Sequence, residues 1–127
     1  LGYWHFPFLG EESTRAAEAS ECAADQEKFW EYHDLLFERQ NGENQGAFTD
    51  DNLKAMAADL GLDTEAFNAC LDTGKHTEKV SRQRQMAQQL GVSSTPAFLI
   101  NGQAVMGALP FENFQQIIDP ELQKQAP

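Results

Sequence analysis

The sequence predicts an α/β domain in which helices cover a small mixed sheet. Three observations carry that prediction. Residues 1–10 hold no Lys, Arg, Asp or Glu and are rich in aromatics. From about residue 13 to residue 90, apolar residues recur at spacings of three and four, in segments that close on glycines. After Gly91 the period changes, and two short strand-like runs flank an Asn101-Gly102 turn. A length of 127 residues leaves room for one such domain.

Taken in order, Leu1-Gly2-Tyr3-Trp4-His5-Phe6-Pro7-Phe8-Leu9 reads as a buried strand that Pro7 brings to a close. Its aromatics Tyr3, Trp4, Phe6 and Phe8 are expected in the core, with an apolar groove for unfolded polypeptide or a surface left bare by truncation as the alternatives. A long helix is predicted from Ser13 or Thr14, either of which can cap it, to Phe37 or Gln40. Ala16, Ala19, Cys22, Ala23, Phe29, Trp30, His33, Leu36 and Phe37 form its apolar stripe. Residues 41–46 are a loop by composition. A second helix runs from Asp50 to Leu60, capped by Thr49 or Asp50 and stopped by Gly61. Asp63 or Thr64 caps a third, carrying Phe67, Cys70 and Leu71 and ending at Gly74. A fourth, from Thr77 to Leu90, uses Val80, Met86, Ala87 and Leu90. Pro96–Ile100 and Gln103–Met106 form a hairpin across Asn101-Gly102, where both turn positions need positive φ. Pro110 opens a last helix on Phe111, Phe114, Ile117 and Ile118, and Asp119-Pro120 ends it before a frayed polar tail.

Twenty Asp and Glu against nine Lys and Arg leave a net charge of −11. Such a chain repels phosphate backbones, which argues against nucleic acid as a partner. The charge is concentrated: residues 11–72 carry sixteen acidic and four basic side chains, residues 75–127 four and five. No apolar run approaches the ~20 residues that span a bilayer. Two cysteines are too few for a disulfide-scaffold miniprotein or a four-thiolate zinc site. No His-x₃-His pair, glycine-rich phosphate loop or Gly-x-Ser-x-Gly elbow is present, so neither metal nor cofactor is expected. His33 reads as a packing residue, and His5 and His76 have no partner at a recognisable spacing.

The informative run is Gly91-Val92-Ser93-Ser94-Thr95-Pro96-Ala97-Phe98-Leu99-Ile100-Asn101-Gly102. Pro at a strand's first residue costs no ladder donor. Two readings are open: a trans Thr95–Pro96 bond that merely starts an edge strand, or a cis bond that presents the Thr95 backbone to an extended peptide. This run resembles the cis-proline segment of thioredoxin-fold proteins, and especially that of the DsbA-like thiol–disulfide oxidoreductases. Residues 16–23 and 29–37 resemble the first inserted helix of that family, 67–75 a later one, and 107–114 the start of its last helix. The brief insert and the unadorned Ser93–Gly102 segment fit the glutathione-using relatives of the fold less well.

The resemblance implies a thioredoxin-like (DsbA-like) α/β fold. Residues 1–10 would be a strand, 14–91 an all-helical insert and linking helix, and 92–119 the cis-proline hairpin and C-terminal helix. It also implies a Cys-x-x-Cys dithiol between an N-terminal strand and a helix, and no Cys-x-x-Cys occurs here. The expectation is therefore a chain cut from a longer protein, without the first strand and the active-site helix and with no catalytic residue of its own. Thr95 and Pro96 would bind substrate, meaning unfolded or disulfide-bearing polypeptides, alongside a redox partner protein. A redox-inactive thioredoxin-like module binding peptides or a partner is the alternative. The location implied is extracytoplasmic: periplasmic, secreted or on a membrane-anchored parent. A sheet lacking its first strand and helix would swap, dimerise or bind a partner through the bare face. Cys22 and Cys70 match helical-insert positions of the family. They are read either as a structural disulfide, which the implied oxidising compartment favours, or as two buried thiols. A redox-active role is disfavoured because no Lys or His adjoins them in the local sequence.

Overall fold

A computed structural model describes residues 1–125. The elements are α1 (Glu11–Ala24), α2 (Phe29–Arg39), α3 (Asp50–Asp59), α4 (Thr64–Asp72), α5 (Thr77–Gln89), β1 (Ala97–Ile100), β2 (Gln103–Met106) and α6 (Phe111–Gln125). The chain divides into two compact units, one ending at Met86 and the other beginning at Ala87.

The first unit is helical. Its core joins Ala19, Cys22 and Ala23 of α1, Tyr32 of α2, Leu53, Met56 and Ala57 of α3, and Phe67, Cys70 and Leu71 of α4. The predicted faces of α3 and α4 are thus the buried ones. Thr49 caps α3 by accepting from the Asn52 N–H at 3.3 Å, and Asp63 caps α4 by accepting from the Ala66 N–H at 3.1 Å. Thr49→Ala removes one such acceptor and is expected to lower stability by about 1 kcal/mol, read as a shifted urea midpoint. Gly61 closes α3 at φ +73, with the Leu62 N–H donating to the Ala57 carbonyl at 3.1 Å.

The predicted first helix is two. The N–H groups of Glu27 and Lys28 donate back to the carbonyls of Ala24 and Ala23 at 2.9 and 3.0 Å, with Glu27 at φ +61. This is the helix ending normally made by glycine. Gln26 holds it in place: its amide donates to the Asp63 carbonyl at 3.0 Å and its oxygen accepts from the Asp63 N–H at 2.8 Å. The turn re-phases the whole of α2 relative to α1. Tyr32, outside the predicted stripe, is fully buried, whereas Trp30 and Phe37 are 44% and 59% exposed. Neither Ser13 nor Thr14 caps α1, which begins at Glu11 after Gly10 with no side-chain cap. The Glu12 carboxylate accepts instead from the N–H groups of Gly46 and Phe48, tying the 41–49 loop to α1.

The expected strand at residues 1–9 does not form, because no other strand lies beside it among the described residues. His5 and Pro7 are buried, but Tyr3, Trp4 and Phe8 are exposed, so the expected aromatic core is corrected to a largely surface cluster. The Tyr3 ring packs edgewise and tilted on Phe29, Trp30 and His33, and His33 on Phe37.

The second unit holds an antiparallel hairpin, β1 with β2, in the register Ala97↔Met106 to Ile100↔Gln103. Asn101 and Gly102 sit at φ +47 and +85. Phe98 of β1 meets Phe114 of α6, ring centroids 4.9 Å apart. The last helix does not stop at Pro120 but continues to Gln125. Proline removes one N–H and crowds the preceding turn without forbidding the helix. Beyond it, Glu121 accepts from Lys124 at 2.6 Å and from Asn101 at 3.3 Å.

Candidate functional site

Each unit carries one candidate. In the second, the Thr95–Pro96 peptide bond is cis. Both residues are exposed. The Pro96 carbonyl accepts from the Gly107 N–H at 2.8 Å, which anchors the entry to β1 on the far end of β2. Among the described residues, β1 pairs only with β2 and Thr95 makes no backbone hydrogen bond. An extended polypeptide could therefore pair with Thr95 without displacing anything.

In the first unit, Cys22 of α1 and Cys70 of α4 form a disulfide with their Cα atoms 5.9 Å apart. Cys22 is 1% exposed and Cys70 is 9% exposed, and both line a cleft of about 350 Å³. No cation adjoins these sulfurs in the local sequence, but the fold supplies two. Gly74, at φ +65, turns the chain after α4, and the Lys75 N–H donates to the Cys70 carbonyl at 3.2 Å. Lys75 Nζ and His76 Nε2 then lie 2.8 and 2.9 Å from Asp25 Oδ2. The same oxygen is 3.7 Å from Cys70 Sγ, and a ring nitrogen of His76 is within 4.8 Å of both sulfurs. Burial works to raise the Asp25 carboxyl, but the hydrogen bonds from Lys75 and His76 outweigh it and hold it below its ordinary value. Asp25 follows Cys22 by one helical turn and His76 follows Cys70 across Gly74. Those two offsets were the available signal.

His5 is likewise not isolated. Its Nε2 is 2.8 Å from Glu21 Oε1, and Lys79 Nζ is 2.8 Å from Glu21 Oε2. Burial lowers the His5 imidazole below its ordinary value against the pull of Glu21. Burial would raise Glu21, yet donation from Lys79 and His5 leaves it lowered. An unfolded chain therefore takes up a proton at His5 near pH 6.5 and at Glu21 near 4.5 before the folded protein does. Stability is expected to fall as pH drops through 6.5, and again below 4.5. His5→Gln should flatten the upper limb of a stability–pH curve measured by denaturant midpoints. A second concavity, of about 450 Å³, lies beside Arg15. That guanidinium is already committed to Asp50 at 2.8 Å, Glu18 at 3.1 Å and the Leu71 carbonyl at 3.2 Å.

The chain is similar to known proteins in both sequence and fold. Residues 3–119 match the DSBA-like thioredoxin domain. The chain belongs to that family. It is 30% identical over 128 aligned residues to a probable disulfide bond formation protein D of Bacillus cereus, covering 98% of this chain and 58% of that protein. It is 40% identical over 93 residues, 73% of this chain, to a Na(+)/H(+) antiporter NhaA of Herminiimonas arsenicoxydans, but to only 14% of that protein. A thioredoxin-like oxidoreductase from Silicibacter pomeroyi superposes with a TM-score of 0.76 at 26% identity, covering 98% of this chain and 68% of that one. The chain thus spans little more than half the length of its Bacillus relative. This DsbA-like chain has a thioredoxin-like α/β fold, and no helix among its described residues is long and apolar enough to cross a membrane.

Proposed function

We propose that this chain is the substrate-binding part of a DsbA-like thiol–disulfide oxidoreductase that acts on protein disulfides outside the cytoplasm. The observation that carries the proposal is the exposed Thr95–Pro96 edge, with a cis bond and free Thr95 backbone groups. Thr95 pairs its main chain with an extended substrate, and Pro96 holds that edge open at the start of β1. The dithiol is supplied by sequence outside these 127 residues. Its thiolate attacks a substrate disulfide, forming a mixed disulfide and releasing one substrate thiolate, and the second cysteine resolves it. Partners are unfolded or disulfide-bearing polypeptides and a protein that resets the dithiol. Exposed Leu99, Phe111 and Leu122 support self-association of the chain alone.

A second reading, a redox-inactive module that binds peptides, is favoured by one fact: both cysteines are consumed in a disulfide and no Cys-x-x-Cys is present. The 127-residue chain is expected to show no insulin-reductase activity, and the coding sequence upstream of Leu1 is expected to encode a Cys-x-x-Cys. Activity from the chain by itself would overturn the proposal. Residues other than cysteine upstream would favour the binding module.

A further inference from the structure

We propose that reduction of the Cys22–Cys70 disulfide uncovers a site for a single soft divalent cation such as Zn²⁺, held by Cys22, Cys70, His76 and Asp25. This assignment is independent of the cis-proline edge and of any dithiol beyond this chain.

Three of the donors, Cys22, Cys70 and His76, are already gathered, and Asp25 adjoins Cys70 and His76. The two sulfurs are bonded to each other, and a His76 ring nitrogen lies within 4.8 Å of both. Asp25 Oδ2 is 2.9 Å from His76 Nε2 and 3.7 Å from Cys70 Sγ. In a tetrahedral site with bonds of about 2.0–2.3 Å, neighbouring ligand atoms sit roughly 3.3–3.8 Å apart. Separating the sulfurs to that spacing needs side-chain rotation only, because Cα atoms 5.9 Å apart suit a shared metal as well as a disulfide. Two thiolates, an imidazole and a carboxylate are ligand types that zinc takes together. The cleft lined by Cys22, Asp25, Cys70 and Lys75 gives the cation a way in. Lys75, which holds Asp25 in the oxidised protein, swings out on an exposed side chain as the metal takes its place.

The chemistry balances with a thiol reductant. The disulfide accepts two electrons and two protons from two thiols, which leave as their own disulfide. Each protein thiol then loses its proton as the metal–sulfur bonds form, releasing two protons per cation. The cation and the disulfide are thus mutually exclusive, and the site is open only to the reduced chain.

The test is an anaerobic titration of the 127-residue chain with Co²⁺ alone, followed in the ultraviolet and visible and displaced by Zn²⁺. The reduced protein is expected to take up one Co²⁺, with thiolate charge-transfer bands and the intense d–d bands of a tetrahedral ion. The oxidised protein is expected to show neither. His76→Ala and Asp25→Asn should each weaken binding by about tenfold or more. Circular dichroism of the same samples reports whether the reduced chain stays folded. Absence of the bands from the reduced protein overturns the assignment. So does equal affinity in wild type and His76→Ala, which is also the outcome if two cysteines of an unfolded chain do all the binding.

Discussion

Tyr32→Ala is expected to lower the stability of the helical unit by roughly 3–5 kcal/mol, enough to unfold a marginal domain. Tyr32 is fully buried, its ring 5.5 Å from that of Phe67. Its hydroxyl donates to the Leu53 carbonyl at 2.9 Å, and burial pushes the phenol well above its ordinary pKa. Truncation to alanine opens a ring-sized cavity between α2, α3 and α4 and removes the donor from a buried carbonyl. Tyr32→Phe keeps the packing and should cost only about 1 kcal/mol. Guanidinium denaturation of both variants separates the two contributions. Similar losses for Tyr32→Phe and Tyr32→Ala would mean that the ring is not what holds these helices together.

Loss of the Cys22–Cys70 bond is expected to cost about 4 kcal/mol, since it closes a loop with a sequence separation of 48 residues. In the chain-entropy account the bond acts on the unfolded ensemble, which it keeps from expanding. The Cys22→Ala/Cys70→Ala double variant and the wild type in excess reductant without metal should therefore unfold at matching, lowered midpoints. Coincidence of the oxidised and reduced midpoints would refute a stabilising role.

The parts of the fold that the sequence made legible are those written in local chemistry. Thr49, Asp63 and Gly61 mark the boundaries of α3 and α4 because a cap oxygen or a positive φ acts within a few residues. Asn101-Gly102 fixes the hairpin for the same reason. The division between α1 and α2 was not legible, because Asp25-Gln26-Glu27-Lys28 holds no residue that ends a helix by itself. The left-handed Glu27 is stabilised from Asp63, more than thirty residues away. That one hidden turn also moved Tyr32 into the core and Trp30 and Phe37 out of it. At the candidate sites, Thr95 and Pro96 were legible through a contiguous motif. The setting of Cys22 and Cys70 was not, because Asp25 and His76 meet across 51 positions. The strand expected at residues 1–9 shows a further limit, since a run rich in aromatics does not make a ladder without a neighbouring strand.

The α1–α4 bond also gives the exposed 41–46 loop a covalent bypass. That loop lies on the stretch of chain that the sulfurs bracket. A protease cutting there would leave two fragments still joined, migrating as one species until a reductant is added. Backbone continuity and molecular integrity are therefore separate properties in this part of the protein, and only the second depends on the redox state of its surroundings.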